Sequence, residues 1–519
     1  MPLPPLQRIQ RNAGDGVPYL LLVTCYLLLK LPTGCPVLFL HLFPPKGGAF
    51  YAENHIIRHS SRALRRVGRG AERSADARRR DRGKPQADLV ALPGGQVVLG
   101  TPPGTDWSGT DEAQTRAQVK AFSLGAHEVS QELYEALMGS NPSHFRGAQL
   151  PVECVSWLQA VEFCNRLSAA AKLRPAYEIA DGEVRWDLSA PGYRLPAEAE
   201  WEYACRAGSE NLYNTGSGIS DAQANYCAHY PYNIEPHYFD PSALEIKPGV
   251  YRSKTVPVGE FAPNAWGLRQ MHGNVAEWVW DGYNPKGTAA GPGDDESSNG
   301  ERHFKVYRGG AWNDFAKHLR CAYRGILPPT QARMTIGLRL ARGALGSGVR
   351  VTRIDAPAKA QGRRLVVFFS WSGNTRRMAE IIGARTGAEV VELKVEPPYS
   401  ESYDEVLVQA WQAQLRRDLP KLKNAPDLRA YNTIFIGYPL WWASIPRPIA
   451  SVLAGQDVTG KTILPFSSGG GGHLQQSLSD LMKLARGADF GTALEVSYSG
   501  GRHLDERIDA WLKENGILP

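Results

Sequence analysis

The chain has 519 residues, of which 43% are hydrophobic and 21% charged. Those values exclude wholesale disorder and collagen-like structure, and the length implies two to four domains. Seven cysteines are too few for a disulfide scaffold, and the +7 net charge is concentrated in a tail. Residues 1–86 carry 15 Lys and Arg against 5 Asp and Glu, a net of +10 that leaves the remainder at −3. The folded part is therefore not read as binding nucleic acid.

Residues 17–43 form the one long apolar stretch, interrupted by Lys30, Pro32, Gly34 and Pro36. Its clean run of about a dozen residues falls short of the ~20 that cross a bilayer as a helix. Arg8 and Arg11 precede it, as in a signal peptide, and an Arg-rich segment without aromatic residues follows to residue 86. A basic arm of that composition cannot build a core. The leading reading is a dispensable, disordered leader on a cytoplasmic body. The alternative is export or membrane attachment through 17–43.

The next region, 87–345, is rich in Gly, Pro, Trp and Tyr. Apolar spacing predicts helices over Ser130–Met138 and Ser156–Leu167, and Pro196 opens a third over Ala197–Cys205. Its motifs are LPGGQVVLG (92–100), EVSQELYEALMGSNPSHF (128–145), LPVECVSWLQAVEFCNRL (150–167), YRLPAEAEWEYACRAG (193–208), NAWGLRQMHGNVAEWVWD (264–281), YRGGAWND (307–314) and IGLRLAR (336–342). In this order they resemble the formylglycine-generating enzyme family, the sulfatase-modifying factors. The resemblance implies an irregular α+β, C-type-lectin-like fold.

That family oxidises a substrate cysteine with a copper-binding cysteine pair placed after the RGG segment. Soft thiolates suit copper(I). Here the segment reads YRGGAWNDFAKHLRCAYR (307–324), with Asp314 where the first thiol is expected and only Cys321 nearby. Cys321 is read as structural, as are Cys154, Cys164 and Cys205 on apolar helical faces, while Cys227 has no assignment. The resemblance also implies a calcium site on Gln270, Gly273, Val275 and Glu277, whose hard oxygen donors suit that ion. A Gly-containing turn that buries Trp278 is the competing reading. A second calcium site maps to Asn225 and Tyr226 but lacks its aspartate near Val250. The resemblance places the family's substrate along Arg308–Arg324. Trp312, Asn313, Asp314 and Arg324 are therefore the candidate ligand surface for a polar small molecule or peptide.

Residues 346–362 continue a Gly/Ala-rich stretch that starts at 343 and read as a flexible linker, reaching ~25 Å root-mean-square. Apolar runs at 365–369, 390–395, 433–439, 462–467 and 493–499 then alternate with helical segments at 376–386, 404–417, 447–453, 474–486 and 505–515. This is the pattern of a doubly wound parallel five-stranded sheet over 363–519. Ligands of such sheets bind at the carboxyl ends of the strands. The loop SWSGNT after the first strand supplies hydroxyls and a helix N-terminus, a cradle for phosphate. YPLWWASIPRP (438–448) offers adjacent tryptophans to a planar ring, and SSGGGG (467–472) offers side-chain-free backbone to a ring edge. The three loops resemble those of the flavodoxin family. The resemblance implies FMN held by Ser370, Trp371, Ser372, Gly373, Asn374, Thr375, Pro439, Leu440, Trp441, Trp442, Ala443, Ser467, Ser468, Gly469 and Gly470. Either Trp441 or Trp442 would cover the ring.

Residues 363–519 hold 18 Lys and Arg against 17 Asp and Glu. That balance gives no electrostatic steering toward a basic redox partner. Three functions remain. One is an FMN-dependent oxidoreductase whose middle domain recognises a substrate or partner, with an unidentified electron donor. Another is a formylglycine-generating oxidase with a fused reductant. The third is a lectin-like binding platform carried with an FMN domain.

Overall fold

The computed structural model describes residues 87–105, 107–228, 249–288, 304–353, 362–470 and 473–519. The leader, its apolar segment 17–43, part of the linker (354–361) and the last two glycines of SSGGGG lie outside the described residues. Among the described residues no helix is long and apolar enough to cross a membrane.

In the middle region the three expected helices form at Gln131–Met138, Trp157–Ala170 and Glu198–Arg206. Local chemistry sets their ends. Ser130 Oγ accepts from Leu133 N, and Gly139 closes the first helix at φ +75°. Ser156 and Gln159 exchange reciprocal hydrogen bonds at the start of the second. Glu200 reaches back to Ala197 N, 2.8 Å away, to start the third.

The remainder is short strands. One four-stranded sheet orders Leu89–Leu92, Phe122–Gly125, Ala341–Arg342 and Tyr193–Arg194. Another orders Gly325–Leu327, Lys305–Arg308, Ala276–Gly282 and Ile336–Leu338. A hairpin of Gly95–Leu99 with Thr115–Val119 completes the first motif. Chain ends thus meet mid-chain segments, which is why so little of this region shows a local period.

The expected linker is partly a strand. Val349–Arg353 pairs antiparallel with Glu183–Asp187 as the edge of a three-stranded sheet. Thr352 is buried there and its hydroxyl accepts from the Lys305 ammonium at 2.8 Å. Lys305 lies over the rings of Trp157 and Trp280. The composition of this segment reads as flexible, but a buried cation in need of acceptors orders it.

Residues 363–519 form the expected parallel sheet, in the order Glu389–Glu392, Arg364–Phe368, Thr433–Pro439, Thr462–Gly469 and a far edge. That edge is split into Asp489–Phe490 and Leu494–Ser497, both parallel to Thr462–Gly469. The second strand in sequence lies on one side of the first and the third, fourth and fifth add in turn on the other, which is the flavodoxin-like 2-1-3-4-5 order. Side chains alternate faces strictly: Leu365, Val367, Ile434, Ile436 and Ile463 enter one apolar cluster, while Val366, Phe368, Phe435, Leu464 and Phe466 enter the other. Burial on both faces explains the continuous apolar runs. Helices Asn374–Thr386, Tyr403–Arg416, Arg447–Leu453, Ser477–Leu484 and Leu504–Glu514 cover the sheet.

The described residues all belong to one compact unit. Leu478 and Met482 of helix Ser477–Leu484 belong to the same apolar cluster as Trp278, Tyr307 and Ile326 of the middle region. The C-terminal domain is therefore packed on the middle one, and its reach is not set by a free tether.

Candidate functional site

The carboxyl ends of the parallel strands gather the three loops picked out in the sequence. The first runs from Ser370 into helix Asn374–Thr386, whose N-cap is Gly373 at φ +89° with no side-chain cap. A residue with a Cβ is strained at that angle. Ser370 Oγ accepts from Arg376 N at 3.3 Å. Thr375 is buried, and its hydroxyl meets Ser468 Oγ at 2.9 Å, joining the first loop to the third. Leu440 N donates to Ser468 O at 2.8 Å, joining the second loop to the third. A helix N-terminus that starts on a glycine and is ringed by Ser370, Ser372 and Thr375 fits a phosphate dianion.

The two tryptophans diverge. Trp441 is half-buried among Phe369 and Tyr399, both edge-on to it at 5.3 and 5.4 Å. Trp442 turns the other way. Its Nε1 donates to Leu407 O at 3.0 Å, and it packs with Ala443 against Cys227, Phe315 and Tyr251 of the middle domain. Trp441 is thus the tryptophan placed with the sheet's carboxyl ends, while Trp442 belongs to the contact between domains.

The expected ligand surface of the middle domain is not a surface. Trp312 is 2% exposed, Asn313 and Asp314 0%, and Arg324 1%. Arg324 is tied to the Glu198 carboxylate at 2.6 and 2.9 Å, and Glu198 also accepts from Arg308. The segment after the Gly run of the third loop covers the other three. Gln475 Nε2 donates to Asn313 O at 2.6 Å, and Gln476 Nε2 donates to Asp314 Oδ2 at 2.7 Å. Gln476 Oε1 accepts from both Tyr307 and Tyr323 hydroxyls, and the His473 ring stands edge-on to Trp312 at 5.8 Å. Burial pushes the Asp314 carboxyl up to about 7, against the opposing hydrogen bonds from Gln476 and Ala311 N. Among the described residues its Oδ1 has no hydrogen-bond partner and lies 4.0 Å from His318 Nδ1, which also has none there. Nothing in the local sequence marks the glutamines or Lys317 as contacts across domains.

The calcium expectation fails on donor chemistry. Glu277 accepts from Arg339 at 2.6 Å and from Trp201 Nε1 at 2.7 Å. Arg339 also donates to the carbonyls of Gly125, Arg269 and Gln270. Gln270 Oε1 accepts from Gly259 N. The Glu277 carboxylate is held by a guanidinium and the Gln270 side-chain oxygen by an amide, so two of the four expected donors are committed and Gln270, Gly273, Val275 and Glu277 as placed do not fit a calcium ion. Gly273 serves the turn instead, since a Cβ there would meet Asn225 O at 2.3 Å. At the second mapped site, Asn225 Nδ2 donates to Lys254 O and Asn274 Oδ1, and Tyr226 OH donates to Ile219 O.

Cys321 has a thiol neighbour after all. Cys205 Sγ lies 3.6 Å from Cys321 Sγ, with His272 beside them, all three buried. The two cysteines are 116 positions apart, beyond any spacing argument. His272 Nδ1 lies 2.7 Å from Leu319 O, and Asn214 N donates to Nε2 at 3.2 Å. With Nδ1 as donor, both ring nitrogens are committed, and the trio does not fit a metal ion. Cys154 is in a left-handed turn at φ +59° ahead of its helix, not on the helical face expected of it.

Comparison with known proteins agrees with these two architectures. A family model described as a sulfatase-modifying factor enzyme 1-like domain matches residues 73–344, and one described as flavodoxin matches 363–514. The chain is 30% identical over 272 residues to a protein named chaperone protein LppX from Paenibacillus barcinonensis, covering 49% of this chain and 89% of that one. It is 26% identical to the formylglycine-generating enzyme of Bos taurus, covering 50% and 76%. A solved flavoprotein in complex with FMN from Lactobacillus acidophilus is 24% identical, covering 29% and 99%, with a TM-score of 0.25.

Proposed function

Because the chain belongs to the sulfatase-modifying factor family through residues 73–344 and carries a flavodoxin domain behind it, we propose that it is an FMN-dependent oxidoreductase. The middle domain in this reading is the platform on which the flavin domain sits, and it does not itself make formylglycine. The observation that carries the proposal is the meeting of Ser370, Thr375 and Ser468 at a helix N-terminus that starts on Gly373, beside Trp441. Bound FMN would supply electron transfer. The chain's own groups hold and orient it: amides of the helix N-terminus and the hydroxyls of Ser372 and Thr375 for the phosphate, Trp441 for the ring, and backbone of 467–470 for the ring edge.

Purified protein should be yellow or take up added FMN. Replacing Ser372 and Thr375 together by Ala should remove charge-assisted hydrogen bonds of roughly 1.5–3 kcal/mol each, lowering affinity by orders of magnitude. A colourless protein that takes up no FMN refutes the reading. The negative half has its own test. Asp314 is buried under Gln476 where a catalytic thiol would have to be reached. A CxPxR peptide incubated with the protein, copper, oxygen and a reductant should keep its cysteine, as read by mass spectrometry.

A further inference from the structure

We propose that residues 312–317 of the middle domain position the two ring-contacting loops of the flavin domain, so that flavin affinity depends on the docked middle domain. This rests on the FMN reading above. The backbone carries the argument. In the described part of 363–519 six residues other than glycine have positive φ, and four of them are Trp442 (+53°), Ala443 (+62°), His473 (+59°) and Gln475 (+43°). Side-chain-bearing residues avoid this region and hold it only where their surroundings over-determine them.

All four touch the middle domain. Lys317 Nζ donates to Trp442 O at 3.2 Å. Ala443 packs on Cys227 and Phe315. His473 stands against Trp312, and Gln475 donates to Asn313 O. Gln476, next in the chain, is gripped by Asp314, Tyr307 and Tyr323. One short segment of the middle domain thereby holds both loops. The phosphate loop is held by its own domain instead: Trp371 donates to Ser400 O, Arg376 pairs with Glu392, and Thr375 meets Ser468. The clamp therefore acts chiefly on the ring and reaches the phosphate loop only through the Thr375–Ser468 bond.

That division sets the test. Full-length protein, stripped of flavin, is titrated with FMN and with riboflavin, which shares the ring but has no phosphate. Asp314→Leu removes the acceptor of Gln476 while keeping the branched outline of the side chain, and Lys317→Met removes the donor to Trp442 O while keeping an apolar stem. Each variant should weaken both ligands by the same factor, at least tenfold, and change the visible circular dichroism of the bound flavin. Asp314→Asn, which keeps an acceptor, should bind as wild type does. Unchanged affinities in both variants, or a loss confined to FMN, overturn the clamp while leaving the FMN reading intact. Near-ultraviolet circular dichroism of each variant identifies one that has lost the middle domain's packing, and the other variant then decides. A wild-type protein that binds neither ligand overturns both proposals.

Discussion

The two domains of residues 75–519 are held by different forces. In the middle domain, Arg194, Arg308, Arg320, Arg324 and Arg339 are all buried, each tied to a buried carboxylate at 2.6–2.9 Å. Short strands and loops cannot satisfy their own backbone groups, and these guanidiniums supply the missing donors: Arg339 alone serves three carbonyls and Glu277. Among the described residues, every ion pair internal to the flavin domain is solvated on both sides, the least exposed partner being Glu392 at 18%, and the one buried pair it joins, Lys483 with Asp111, crosses to the middle domain. Its stability comes from apolar strands buried on two faces. An irregular fold thus depends on a few directed polar contacts, and a regular one on many undirected ones.

That contrast can be broken most directly at Arg308, which bridges Glu198 and Glu202. Arg308→Ala leaves two buried carboxylates short of a counter-ion and should destabilise the middle domain by about 3–5 kcal/mol, measured by denaturant unfolding. In the flavin domain the comparable loss should come from an apolar residue. Ile436→Ala, at a fully buried position of the central strand, should lose about 3 kcal/mol through its cavity. A larger loss at Ile436 than at Arg308 would invert the comparison.

A pH profile sharpens it further. Burial, and next the Glu277 carboxylate, push Glu128 up to about 8 against the opposing pull of Arg339, Asn274 and Val275 N. The folded state then keeps a proton that the unfolded carboxyl loses near pH 4.3 (roughly). Its contribution is complete below the unfolded value and is lost as pH rises through about 8. Middle-domain stability should therefore fall across that window, and Glu128→Gln should flatten the fall. Asp314, raised to about 7, adds a narrower loss ending near that value, which Asp314→Asn should remove. The smallest effect belongs to the flavin domain's surface. Arg385→Ala breaks the pairs with Asp505 and Asp509, all exposed, and should leave the unfolding midpoint unmoved.

The flavin domain was legible because its signals are local. A two-faced strand must be apolar at every position, and a strand-to-helix loop rich in hydroxyls stands out beside it, so 364–368 and the turn 370–375 into the next helix declare themselves within a dozen residues. In the middle domain the caps of its helices were equally local and equally readable. The partners of Glu277 and Cys321 were not, because Arg339 is 62 positions from Glu277 and Cys205 is 116 from Cys321. Trp441 and Trp442 show the limit within a single motif. Adjacent identical residues carry one signal, and left-handed turns at 442 and 443 send the second ring to another domain.

The sequence by itself determined the division into an irregular α+β domain and a parallel-sheet domain, together with the loops at the sheet's carboxyl ends. Periodicity, capping and turn chemistry act over a few residues and are written there. Only the tertiary structure decided that Val349–Arg353 is a strand, that a guanidinium holds the carboxylate expected to bind calcium, and that Asp314 lies under Gln476. Each of those outcomes satisfies a buried polar group whose partner is distant in the chain: Lys305 needs Thr352, Glu277 needs Arg339, and Asp314 needs an amide from another domain. Burial creates the demand, and only the packed chain shows which residue meets it.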